Sequence, residues 1–459
     1  MSNNKNVIER LVDARDNIRE AINNKGGNAN THGFEDFAND IAAITSTENV
    51  IEEKDINFYD YDGTLLYSYT FAEYLELFDE LHFPSLPAPI EFYDLCKWNA
   101  SSTLIYYDAS HETKRDVGVC YTESDPDPSK ARFYLHVSDS SQLNPTFSFY
   151  CNDIVEVSIN NDEPFEIADD YGMYDVIINL PQPESYPADY CVEMRSWDEC
   201  ILGGIDSPKT VINYGDIVEK VYLGLYYQNR QLNSAIGTFS NCVNLKNVVV
   251  AYDEDRNRSY SSFSAKETFK NCISLKSIVI DPSITSTGSS IFENCINLKK
   301  VILPRVNISG TTTELGTSAF ANCNILDNTY FTENLVLSRD MFKKCFSIKK
   351  IKSKSKTISS SAFSDCVCLK EVVLSYKTTN SSNKGSIEAG AFNNCNTLKI
   401  LDLSVNTSSN YLPSLQNVNA LSGTPSNMVI YVANQTMLDA FKAATNWSAY
   451  ADRFQIKPS

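Results

Sequence analysis

Apolar and polar positions follow several distinct rhythms along the chain. Between residues 209 and 425 the pattern is typified by FSNCVNLKNVVV: an aromatic, a cysteine three residues on, an aliphatic three beyond that, then a β-branched stretch. It recurs seven times, at Phe239/Cys242/Leu245, Phe269/Cys272/Leu275, Phe292/Cys295/Leu298, Phe320/Cys323/Leu326, Phe342/Cys345/Ile348, Phe363/Cys366/Leu369 and Phe392/Cys395/Leu398. Phe, Cys and Leu at i, i+3 and i+6 predict a short helical turn running into a strand, with all three side chains directed into one narrow interior. Self-similarity at 21 to 30 residues predicts a stacked solenoid whose coils bury their faces against their neighbours.

Elsewhere the period differs. Val7, Leu11, Ala14, Ile18 and Ala21 form one apolar stripe at helical spacing, Gly26-Gly27 ends it, and Phe34, Phe37, Ile41 and Ile44 form a second. This predicts a helical hairpin too small to bury both stripes alone. From residue 48 the period falls to two. NFYDY and TLLYSYT flank Asp62-Gly63, which predicts a hairpin with a two-residue turn. Asp60 and Asp62 lack the further oxygen ligands and closing Glu of a calcium loop. Short strands to 145, and then FSFYCNDIVEVSIN and YGMYDVIINL, predict two small antiparallel sandwiches. After 426, NMVIYV predicts a strand and TMLDAFKAATNWSAYADRF an amphipathic helix carrying Met437, Phe441 and Trp447, which would cover the open end of the last coil. The expected fold is multidomain and mostly β: a helical hairpin over 1–47, a β domain over 48–145, a small β-sandwich-like domain over 146–208, repeats over 209–425 and a helical C-terminal cap over 426–459.

The thirteen cysteines raise four chemical options. A disulfide ladder needs paired Cβ geometry that equivalent positions of parallel stacked coils satisfy poorly, and seven is odd. Zinc wants paired ligands; Cys366 and Cys368 are separated by one residue, and no histidine follows His136. The same lack removes the usual base for a cysteine nucleophile. Core packing remains, with the thiol as a small hydrophobe. The opening MSNNKNVIERLVDARDNIRE has no apolar h-region, so Sec export is not expected and thiols should stay reduced. No apolar run is long enough to cross a bilayer, so membrane insertion is not expected. The motifs G-x-S-x-G, H-E-x-x-H and a phosphate loop are missing, and the expectation is a non-enzymatic protein without cofactor or metal.

Charge divides the chain. The net value is −19, yet residues 1–208 carry 12 Lys+Arg against 40 Asp+Glu, while residues 209–459 carry 27 against 18. The first half would repel phosphates; the second is open to an anionic partner. In six of seven repeats a lysine follows the aliphatic: Lys246, Lys276, Lys299, Lys349, Lys370 and Lys399, with Asp327 the exception. Strand alternation predicts that these lie outside the core as a column about 4.8 Å apart. In MFKKCFSIKKIKSKSK, Lys343, Lys344, Lys350, Lys352, Lys354 and Lys356 crowd around Lys349, a local field that attracts polyanions. A solubilising stripe is the plainer alternative. No aromatic platforms are interleaved with these lysines, which argues against nucleic acid.

The pattern F-x-N-C-x-x-L-K-x-[IV]-x-[IL], with the ending IYV…AFKAATNWSAYADRF, resembles the BspA-like leucine-rich repeat family over about 215–459. The resemblance implies a curved solenoid used in adhesion or protein interaction, without enzymatic activity. The fourth repeat departs from it, reading LDNTYF where lysine and strand residues are usual. The segment LVDARDNIREAINNKGGNANTHGFEDFANDIAAI is similar to short helical N-termini of phage tail, baseplate and fibre proteins, and FYDYDGTLLYSYT is similar to segments of phage and prophage proteins ending in such repeats. These likenesses imply a virion protein assembled in a bacterial cytoplasm. The hairpin would contact other virion proteins, the solenoid a host cell-surface glycan or protein, and a homo-oligomer, by analogy a trimer, would be plausible. The alternatives are a structural virion component using the solenoid for protein contacts, and a bacterial BspA-like surface adhesin.

Overall fold

The computed structural model describes residues 53–60, 63–87, 95–98, 100–112, 114–122, 129–196, 200–205, 209–223, 235–250, 266–279, 286–302, 313–326, 335–376 and 384–458. The expected helical hairpin over 1–47 lies outside them. Lys54–Ser459 forms one compact unit.

That unit opens with four strands, β1 (Ile56–Tyr59), β2 (Leu65–Tyr69), β3 (Leu95–Trp98) and β4 (Arg115–Thr122), ordered β2-β1-β4-β3. The β1–β4 pair is parallel and the other two are antiparallel. Two helices interrupt them, α1 (Phe71–Leu77) and α2 (Ser102–Ser110). The module is therefore α+β, a correction to the all-β sandwich expected over 48–145. The missed signal was local: Thr70 and Glu73 form a reciprocal capping box at the start of α1, and Ser101 caps α2. The loop between β1 and β2 also differs from the expected two-residue turn. Gly63 N–H donates to the Asp60 carbonyl and Asp60 N–H to that of Thr64, so three residues are enclosed, with Gly63 at φ +87°. Phe58, Tyr74 and Trp98 anchor the module's own core.

A sandwich follows, built from β5 (Lys130–Val137), β6 (Thr146–Cys151), β7 (Val155–Ile159), β8 (Phe165–Ala168), β9 (Gly172–Ile177), β10 (Ala188–Ser196), β11 (Cys200–Leu202), β12 (Gly204–Ile205), β13 (Val218–Leu223), β14 (Ala235–Ile236) and β15 (Asn247–Val250). One sheet runs β15-β13-β5-β10-β7-β8, the other β11-β6-β9, and β12 pairs with β14. Alternate buried residues on β5 and β7 meet β6 in the core; Phe133 and Phe147 touch edge to face at 5.2 Å. The boundary expected at 145/146 thus falls inside the sandwich, whose six-stranded sheet takes strands from 130 through 250. Strand β15 is already the strand of the first repeat, in parallel register with β13 through Val221↔Val248. The sandwich sheet therefore templates the solenoid, and one hydrophobic core runs through both.

The remaining coils contribute β16 (Ser277–Val279), β17 (Ser286–Thr287), β18 (Lys300–Ile302), β19 (Thr313–Leu315), β20 (Leu335–Val336), β21 (Lys350–Ser353), β22 (Thr357–Ile358), β23 (Glu371–Leu374), β24 (Ser386–Ile387), β25 (Ile400–Asp402), β26 (Ser414–Leu415), β27 (Val429–Val432) and β28 (Phe454–Ile456). They form two parallel ladders. The expected one follows each aliphatic: β16-β18, then β21-β23-β25-β27-β28. The second, which the sequence pattern did not reveal, precedes each phenylalanine: β17-β19-β20 and β22-β24-β26, linked by a bridge between Leu337 and Ile358. Beyond Leu326 the LDNTYF segment lies outside the described residues. After 426 the chain forms β27, helix α3 (Gln435–Ala443) and β28; Met437, Phe441 and Trp447 are fully buried, and Phe441 stacks on Phe454.

Candidate recognition surface

The phenylalanine, cysteine and aliphatic of every repeat are 0 to 1% exposed. Consecutive rings from Phe239 to Phe392 stack with centroids 5.4 to 5.6 Å apart and planes within 4 to 13°. Each turn is closed by i to i+3 bonds, for example Cys242 N–H to Phe239 and Leu245 N–H to Cys242. Cysteine suits its position for two reasons. Its sulfur fills apolar space, and its S–H is a donor: from Cys272 to Cys395, each Sγ donates to the carbonyl of the preceding repeat's phenylalanine at 3.0 to 3.1 Å. The repeat cysteines are free thiols, and burial pushes all seven up, Cys242 and Cys395 to about 12. A thiol held protonated in an apolar interior is a poor nucleophile or metal ligand. These residues build the scaffold.

Asparagine before the cysteine has its own reason. Asn241, Asn271, Asn294, Asn322 and Asn394 adopt φ of 59 to 64°, a left-handed conformation that Asn tolerates. Their amides form a ladder, Asn271 to Asn241 at 2.7 Å, Asn294 to Asn271 at 2.7 Å and Asn322 to Asn294 at 2.6 Å. Lys344 and Asp365 occupy the same conformation in repeats five and six; the sequence displayed F-x-N-C without revealing this constraint.

With the corners fixed, the lysines fall into place. Lys246, Lys276, Lys299, Lys349, Lys370 and Lys399 are all exposed, where alternation put them. Their backbones stack directly: Lys299 N–H donates to Lys276, Lys370 to Lys349 and Lys399 to Lys370, each at 2.8 Å. At one coil spacing a like-charged pair in water costs about 1 kcal/mol, which exposure and salt reduce. Lys246 also pairs with Glu219 at 2.6 Å.

The basic crowd around Lys349 does not form one cluster. Lys343 is half-buried in the turn and pairs with Asp340 at 3.6 Å; Lys344 sits exposed beside it. Lys350 and Lys352 project outward from β21, alternating with buried Ile351 and Ser353, and Lys350 meets Glu371 of β23 at 2.9 Å. Lys354 and Lys356 are exposed in the segment leading to β22.

That outward strand face is not uniformly available. In the second and third repeats Ser277, Lys300 and Ile302 occupy it, and they are 6, 4 and 1% exposed. The α+β module covers them. Lys300 Nζ donates to the Tyr59 hydroxyl at 2.9 Å and lies 4.6 Å from that ring's centroid, and Gly63 abuts Ser277. On β21 the equivalent residues Lys350 and Lys352 meet solvent.

A cysteine-cored, two-ladder repeat solenoid is the class of protein this geometry defines. Residues 262–399 and 356–423 match the BspA type leucine rich repeat region, in six copies. No curated protein matches the sequence. Among solved structures, a leucine-rich repeat protein from Bacteroides ovatus is 17% identical over 52% of this chain and 66% of its own, with a TM-score of 0.32. The chain thus spans just under two thirds of that protein. A leucine rich cell surface protein from Faecalibacterium prausnitzii is 16% identical over 53% of this chain and 93% of its own, with a TM-score of 0.20.

Proposed function

We propose that the chain is a non-enzymatic recognition protein of the bacterial cell surface, whose solenoid binds an anionic surface polymer. The observation that carries this reading is the uncovered strand face at β21. There Lys350 and Lys352 point outward from a rigid sheet, Lys354 and Lys356 follow in the adjoining segment, and the inert thiol core behind them offers no chemistry. A positive field on a preformed surface attracts polyanions at low ordering cost. The BspA-type repeat match favours the surface-adhesin alternative over the virion reading, which rests on the likeness of residues 11–44 and 58–70 to phage proteins.

The test is pull-down of the full chain by bacterial cell walls with and without their anionic polymers. Binding should fall on polymer removal, on raising salt and in the variant Lys350→Glu, Lys352→Glu. Equal binding to stripped walls, or indifference to the double substitution, would defeat the assignment.

A further inference from the structure

Two other surfaces of the chain complement each other. The first lies on the sandwich. Strand β9 is the edge of the three-stranded sheet, and its outward Met173 and Ile177 are 47% and 58% exposed. Tyr171, just before it, is 69% exposed and touches Tyr150 of β6 edge to face at 5.1 Å. Large apolar side chains grouped on an unpaired edge are what a protein contact uses and what a solitary soluble sheet avoids. Around them acidic side chains predominate. Residues 151–208 hold fourteen Asp and Glu and one basic residue, Arg195, and Asp153, Asp169 and Asp170 are exposed beside the patch. Asp175 on the same face is already paired with Lys209.

The second surface is the solenoid corner where the turn gives way to the strand. The residue after the cysteine is apolar and exposed in repeats two, three and five: Ile273, Ile296 and Phe346, at 37, 36 and 38%. Three positions on stand exposed Lys276, Lys299 and Lys349. Because successive coils stack in register, these residues line up as an apolar row beside a positive one, interrupted at repeat four, where Asn324 and Asp327 stand at the two positions.

We propose that the acidic apolar edge at β9 of one molecule docks on the lysine-flanked apolar ridge of a second copy. Both partners are aromatic or aliphatic at the centre and oppositely charged at the rim, the composition of a protein interface with electrostatic guidance. The two surfaces differ, so the contact is head-to-tail. The pair still offers one free edge and one free ridge, on different molecules, and association proceeds to rings or filaments rather than closing as a symmetric dimer. The contact uses neither Lys350 nor Lys352, so it stands independently of polymer binding.

Sedimentation velocity of the full chain tests it with two variants. One is Tyr171→Ser, Met173→Ser, Ile177→Ser; the other is Lys276→Glu, Lys299→Glu, Lys349→Glu. All substituted side chains are exposed, and matching circular dichroism melts verify that the fold survives. The wild type should grow beyond dimer with concentration and weaken about tenfold or more at ~0.5 M salt. Each variant alone should sediment as a monomer. An equimolar mixture should form a one-to-one dimer and stop, since only one competent pair of surfaces remains. A wild type that stays monomeric, a variant that associates like the wild type, or a mixture that stays monomeric would overturn the proposal.

Discussion

The contact between Lys300 and Tyr59 sets how much of the strand face is open, and its strength can be worked out. Lys300 is 4% exposed and Tyr59 1%, with the ammonium 2.9 Å from the hydroxyl and 4.6 Å from the ring centroid. A hydrogen bond from a charged donor contributes about 1.5–3 kcal/mol. Tyr59→Phe deletes that bond while keeping the ring and its cation–π attraction, so it should cost about 1.5–3 kcal/mol. Lys300→Met keeps most of the apolar stem but strands a buried hydroxyl, at about 1–3 kcal/mol. The double variant places apolar groups on both sides. It removes the unpaired partner that each single change leaves, so it should cost at least about 1 kcal/mol less than the sum of the two. Urea unfolding followed by tryptophan fluorescence reads this through Trp98, buried in the α+β module with its indole N–H donated to the Pro84 carbonyl at 3.0 Å. Additivity within about 0.5 kcal/mol would refute the idea that this pair holds the module on the solenoid.

Three further expectations concern the scaffold. Phe320→Ala, which opens a gap between the Phe292 and Phe342 rings at 5.6 and 5.4 Å, should cost about 3–5 kcal/mol and lower the melting temperature. A maleimide at neutral pH should modify exposed Cys368 quickly and leave Cys242 through Cys395 of the repeats untouched until denaturant is added; prompt labelling of the repeat thiols would contradict their packing. Stability should hold up to about pH 9 and decline above it. The unfolded thiols ionise near their ordinary value while the folded ones, Cys242 and Cys395 at about 12, stay protonated, so the unfolded state binds fewer protons and stability falls with rising pH. Equilibrium denaturation across that range checks the sign.

What could be read from the sequence was what repeats locally. Spacing of Phe, Cys and Leu at three-residue steps is enough to place all seven triads inside, because a turn closed by i to i+3 bonds has no other way to bury them. The exposed lysine column follows from the same local geometry. The α+β module was misread although its T-x-x-E box was visible, because period-two stretches on either side outweighed one helical turn. The second strand ladder is only two or three residues per coil, too short to show a period.

The clearest limit is the pair of lysine dipeptides. NLKKVIL and SIKKIKS place Lys300 and Lys350 at the same position of the coil, five residues after the cysteine, and by sequence alone both belong on the outer face of a strand. The sequence determined that direction for both. Only the tertiary structure decided that Lys300 would lie buried against an aromatic ring contributed from 241 residues away, while Lys350 would face solvent beside Glu371. The reason is physical: strand periodicity depends on the backbone of a few neighbouring residues, whereas burial depends on which distant surface comes to rest on that face.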